Sequence, residues 1–179
     1  MASHMIYMVE MALLDTARRA EWEAWYTAHQ HRLLSIPGIH ASQRFECIHP
    51  AASPFVALHE VDGPDVFTSD AYRNGAGPSN TGEWQTKMGN WHRNLFRGLD
   101  HTPNVPMDAR LVIVERGTEG SLPRDAIVRW LEAVGLDQSV RRRGLVVMPP
   151  AQADLLADTP GIRVLTPLAE RLTPSSPSP

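Results

Sequence analysis

The chain has 179 residues, 42% of them hydrophobic and 21% charged, with a formal net charge of -3. These values suit a folded soluble protein of one domain, or of two small halves sharing a core. Lysine and arginine are scattered except for Arg141-Arg142-Arg143, which argues against nucleic-acid and membrane-surface partners. The triplet has no interleaved aromatic residue, as single-strand binding would need, and reads as an exposed strand start.

Cys47 is the only cysteine, so no internal disulfide and no thiolate metal cluster can form. A cytoplasmic protein is expected. No apolar run approaches the ~20 residues of a membrane span, and the N-terminus lacks a signal peptide's apolar core. Residues 1–5, Met-Ala-Ser-His-Met, look like a vector remnant.

Residues 6–13 form an apolar run of strand length. Asp15 or Thr16 can cap a following helix that Pro37-Gly38 stops near Ser35. Trp22, Tyr26, His29, Leu33 and Ile36 recur on it at helical spacing, which places His29 on the buried stripe. Residues 39–48 and 54–61 alternate as a hairpin. A turn centred near Ala51 would put Phe45, Cys47, Phe55, Ala57 and His59 on one face, and Arg44, Glu46, Val56 and Leu58 on the other. A short helix over 65–72, a Gly/Asn/Pro/Ser-rich loop over 74–82 lying above the site, and a strand in the later part of 84–96 complete a βαββαβ order, the ferredoxin-like plan.

Residues 101–108, with two prolines, form a linker. Beyond them the pattern restarts as a strand at 109–115, a helix at 122–134, a strand at 144–148, a short helix at 150–157 and a strand at 162–168. That is βαβαβ, a half short of one strand. The fold expected is therefore α+β, two tandem ferredoxin-like halves (6–100 and 109–172) closing an α+β barrel, with a disordered tail at 173–179. Every histidine lies at or before His101, so chemistry is expected in the first half and a structural role in the second.

The segment Trp25-Tyr26-Thr27-Ala28-His29-Gln30-His31-Arg32-Leu33-Leu34, then Ile36-Pro37-Gly38 and Gln43-Arg44-Phe45, resembles the dimeric α+β barrel superfamily. Within it the stretch is similar to small bacterial proteins whose first helix reads W-Y-x-x-E-H-x-x-x-L-L. Phe55-Val56-Ala57-Leu58-His59-Glu60 continues the likeness, which covers about the first hundred residues. His29 matches the family's helix histidine and Arg44 its strand arginine. Ala28 stands where glutamate is usual, and His31 where proline is common. The superfamily includes cofactor-free isomerases, cyclases, lyases, monooxygenases and haem-binding enzymes, so the likeness leaves the reaction open. A homodimer is compatible with it.

His29 is the candidate general acid or base, against the alternative of a histidine that merely bonds a strand. Tyr26, one turn away, or His59 would stabilise charge on a substrate oxygen. Arg44 would hold a substrate carboxylate or pair with Glu46 or Glu60. Trp22, Trp25, Phe45 and Trp91 would supply flat apolar walls, and His92 or Arg93 a further polar wall, one of the two pointing away. No metal motif stands out: His29 and His31 lack the i, i+4 spacing of a helical metal pair.

The function expected is that of a cofactor-independent lyase or isomerase acting on a small cyclic or aromatic oxygenated metabolite. The alternatives are a monooxygenase of a phenol, either cofactor-free or haem-dependent through His29 or His92, and a non-catalytic ligand-binding protein.

Overall fold

The computed structural model describes residues 3–175, so parts of the expected vector remnant and of the expected disordered tail lie outside the described residues. Eight strands carry the architecture: β1 (Met5–Leu13), β2 (Ile39–Cys47), β3 (Phe55–Val61), β4 (Met88–Arg97), β5 (Arg110–Val114), β6 (Arg129–Leu136), β7 (Arg142–Met148) and β8 (Ile162–Pro167). Three helices, α1 (Arg19–Leu34), α2 (Asp70–Gly75) and α3 (Pro150–Ala153), lie outside them. The strands close an antiparallel barrel in the order β1-β3-β2-β8-β5-β7-β6-β4.

That order contains an internal repeat. The first half reads β4-β1-β3-β2 and the second β8-β5-β7-β6, so each half is the same four-stranded sheet, and the seams β2–β8 and β4–β6 join them. The α+β barrel of two ferredoxin-like halves is thus present, and one chain closes it.

The second half differs from expectation in which element it lacks. Residues 129–134, expected as the end of a helix, belong to strand β6, and residues 115–128 are irregular apart from one 3-10 turn at Glu119–Ser121. The missing element is therefore the first helix, and all four strands are present. Closure explains the choice: β6 pairs with both β4 and β7, so a helix there would leave two strand edges unsatisfied. Leu131 points into the barrel while Val128 and Trp130 pack outside it, the two-residue alternation of a strand.

Inside, Ile6, Met8, Phe45, Val56, Leu58, Phe96, Leu111, Ile113, Leu131, Leu145 and Leu165 form one packed core. The linker contributes to it, because Val105 is fully buried there and its backbone N–H and carbonyl are both bonded to the Gln43 amide. Outside the first half, Tyr7, Val9 and Met11 of β1 meet Trp22, Tyr26 and Leu33 of α1. The expected aromatic stripe is therefore what seats α1 on the sheet. No described helix is long and apolar enough to cross a membrane.

The hairpin register is one residue from that expected. Phe45 faces Val56, Arg44 faces Ala57 and Ser42 faces His59. A one-residue step exchanges faces, so Phe45 and Cys47 turn inward with Val56 and Leu58, whereas Arg44, Phe55, Ala57 and His59 turn outward beneath α1. The expected helix over 65–72 is also broken, into a 3-10 turn at Pro64–Thr68 and then α2, whose first turn Ser69 caps through its hydroxyl.

Candidate functional site

The space between α1 and the outer face of the first half holds a small cavity of about 20 Å³, lined by Tyr7, Trp25, Tyr26, His29, His59, Tyr72 and Trp91 among others. Strand parity brings Tyr7 (β1), His59 (β3) and Trp91 (β4) to this face, and the helical repeat brings Trp25, Tyr26 and His29. Ala76, Pro78 and Thr81 close the top, so the segment expected to lie over the site does lie there. At about 20 Å³ the cavity has room for roughly one water.

His59 is fully buried, and neither of its ring nitrogens has a hydrogen-bond partner; the same is true of His29 Nδ1. Burial, with the nearby Arg32 and Arg44, lowers His29 to about 4. Burial, with His29 and Arg44, lowers His59 to about 3. Both rings are therefore neutral at pH 7, each with a lone pair. The His29 ring is stacked on Trp25 (centroids 5.0 Å, planes 13° apart) and meets Tyr26 edge-on at 5.8 Å, which fixes its plane.

Three phenols surround these imidazoles. Burial raises Tyr26 to about 12, against the lowering by Arg44. Burial, Tyr72 and other neighbours raise Tyr7 well above the usual phenol range. Tyr7 packs against the His59 ring at 5.2 Å, and its oxygen lies 3.4 Å from that of Tyr72. Tyr7 and Tyr72 were not singled out from sequence. Pairing of Tyr7 with His59 across β1 and β3 is what brings the first of them here.

Arg44 is buried, but its partner is neither Glu46 nor Glu60. Its Nη1 donates to Glu23 of α1 at 2.6 Å, and its guanidinium lies 3.9 Å over the Tyr26 ring and 4.9 Å over Trp22. Glu46 instead binds Arg19, and Glu60 binds Arg171 and approaches His101 at the barrel mouth. Nη2 of Arg44 is buried and unpartnered, which leaves one free donor nitrogen where a bidentate fork was expected.

Three further expectations are corrected. Phe45 lies in the barrel core, on the other side of the sheet from the cavity. His92 is exposed, because Trp91, Arg93 and Leu95 share the alternate side of β4. Trp22 is fully buried against Phe55 and Tyr26 and seats the helix without lining the cavity. His92 cannot serve as a haem ligand in this cavity, because it is exposed on the other face of β4 and does not line it.

The neutral imidazoles make stability pH-dependent. Because the folded values lie below the ordinary 6.5, the unfolded chain binds more protons between about pH 6.5 and 3. Their contribution is complete above pH 6.5 and is lost as pH falls through that window. Melting temperature is expected to drop from pH 7 to pH 5, and a His29→Gln/His59→Gln variant to show a shallower drop over the same range.

No family model matches the chain, and no curated protein matches it in sequence. Solved structures do. A protein of Lactobacillus acidophilus NCFM, named as a candidate monooxygenase, is 9% identical with a TM-score of 0.54, over 97% of both chains. An anthrone oxidase-like protein is 5% identical with a TM-score of 0.64, over 97% of this chain and 94% of that one. A candidate chlorite dismutase is 9% identical with a TM-score of 0.51, over 94% and 96%. These likenesses establish the shared α+β barrel fold.

Proposed function

We propose that the first half is an enzyme that takes a proton from a small, flat oxygenated compound bound between α1 and the sheet, with His29 as general base. The observation that supports this reading is the set of three buried, unpartnered ring nitrogens on His29 and His59, facing an aromatic cavity. Buried polar atoms are ordinarily bonded, and here the partner that suits them is a substrate.

The chemistry follows from the surroundings. Neutral His29 accepts a proton from an acidic C–H or O–H and becomes an imidazolium beside the new enolate or phenolate. Its low pKa in the empty site makes it a weak base, but a close ion pair in a low-dielectric cavity offsets that weakness. Tyr26, held protonated, donates to the developing oxyanion, as would His59 in its N–H tautomer. Arg44 supplies positive potential and the two N–H groups of its unpartnered Nη2. Trp25 and Trp91 supply aromatic walls for a flat ring.

Substrate entry requires the 76–86 segment to move outward. That segment is anchored by Trp84, buried 6.2 Å from the Trp25 ring, and at the surface by Glu83 with Arg18 at 2.7 Å, so opening exposes the indole as well as breaking an ion pair.

Returning the proton to another carbon, or expelling a leaving group, makes the protein a cofactor-independent isomerase or lyase acting on a cyclic or aromatic metabolite. A second reading takes the same anion to dioxygen: a ring CH₂ becomes C=O and the second oxygen atom leaves as water. The names of two structural neighbours favour it.

A panel of hydroxyaromatic and anthrone-type ketones distinguishes the two. Under argon in deuterated water, proton abstraction predicts enzyme-dependent exchange of the acidic hydrogen by NMR. With air admitted, the second reading predicts stoichiometric oxygen uptake, and the first predicts none. Neither exchange nor uptake across the panel would remove the proposal.

A further inference from the structure

Where the first half places α1, the second has only the 115–128 loop. Leu122, Ala126 and Val128 cover the middle of the outer face of that half. Beyond them, beside the β4–β6 seam, a groove of about 740 Å³ remains open. Its floor includes Trp130, and its rim carries Arg97, Arg116, Arg141 and Arg142.

The charges of this groove are not balanced. Glu132 is taken by Arg97 at 2.6 Å, and Glu115 by Arg143 at 2.8 Å. Among the described residues, Arg116, Arg141 and Arg142 have no carboxylate within ion-pair distance. The Arg142 guanidinium carbon lies 4.5 Å over the Trp130 ring, brought there by the pairing of β6 with β7. The aromatic partner absent from the sequence around the arginine triplet is thus supplied across the sheet. Arg143, the third of the triplet, turns into the barrel.

We propose that this groove binds a small anion built on a flat ring, an aromatic carboxylate or a nucleoside monophosphate. The ring would stack on the Trp130–Arg142 pair, and the acid group would bridge Arg116 and Arg141 through charge-assisted hydrogen bonds. The groove volume falls among small-molecule pockets. The negative net charge of the chain disfavours a polyanion such as nucleic acid in the same place. The site shares no lining residue with the histidine cavity and does not depend on the role of that cavity.

Calorimetric titration of the full chain at low salt with salicylate, adenosine 5′-monophosphate and inorganic phosphate tests this. At least one ring-bearing probe is expected to bind at least tenfold more tightly than phosphate. The Arg141→Ala/Arg142→Ala variant is expected to lose at least tenfold of that affinity, and His29→Gln to keep it. Salicylate or the nucleotide binding alone identifies which acid group the site takes. The inference is overturned if neither ring-bearing probe binds, if phosphate binds as well as they do, or if the double arginine variant binds unchanged with its circular dichroism intact.

Discussion

Replacing His29 by Gln is expected to lower kcat by about 10²- to 10⁴-fold, the usual loss when a positioned acid or base is removed, on whichever substrate the exchange panel identifies. Gln is close to His in reach but accepts no proton at neutral pH, so the loss reports chemistry more than packing. Folding is expected to survive, because His29 Nδ1 has no protein partner to forfeit and the helix remains seated by Trp22, Tyr26 and Leu33. The companion His59→Gln separates the roles: if His59 only stabilises charge, its loss is smaller and the rate stays sensitive to the same acidic limb. Intact folding with unchanged kcat in His29→Gln would dismiss His29 as the base. Equal and complete loss in His59→Gln alone would move the assignment one strand deeper.

The helix carrying His29 is legible because one stripe, Trp22, Tyr26, His29 and Leu33, repeats at 3.6 residues over about three turns and the helix ends before Pro37-Gly38. The hairpin below it was legible only as a hairpin. Its register depends on a seven-residue connection between Cys47 and Phe55, and no two-residue turn fixes that count. The step of one residue moved Arg44 beneath α1 beside His59, and Phe45 out of the site. Segment 122–134 was misjudged for a different reason. Leu122, Ala126 and Trp130 recur at four-residue spacing, a helical signal, but the first two lie on an irregular strap over the sheet and Trp130 is already in β6. That pairing joins strands far apart in sequence, and no local propensity reports it. Tyr7 and Tyr72 were hidden likewise, since only the barrel brings a first-strand and an α2 phenol within 3.4 Å of each other.

The inward face of β1 supports a second large effect. Glu10 is almost completely buried, and its Oε1 accepts from Arg143 at 2.8 Å and from Arg163 at 2.6 Å, so two cations from the second half converge on one carboxylate of the first. Burial pushes the Glu10 carboxyl upward, and Arg163 and Arg143 more than reverse that, leaving it below its ordinary value of 4.5. Its contribution is therefore present above about pH 4.5 and is lost as pH falls below that. This window overlaps the lower part of the one set by His29 and His59, and at moderate acidity the histidines act first.

Glu10→Ala leaves the partly buried Arg163 without a carboxylate and the buried Arg143 with only the half-exposed Glu115, and is expected to cost about 3 kcal/mol at pH 7. Denaturant titration measures it. The cost should be largely recovered in a triple variant, Glu10→Leu with Arg143→Met and Arg163→Leu, since apolar side chains of similar volume can replace a buried ion network with little loss. A loss below 1 kcal/mol in Glu10→Ala would show that the cluster is hydrated. Because Tyr7 and Val9 face the cavity from the other side of the strand, the fraction of Glu10→Ala that folds should keep its full turnover. One sheet thickness thus separates the Glu10 cluster, whose charges join the two halves inside the barrel, from the neutral imidazoles of His29 and His59 that line the cavity outside it.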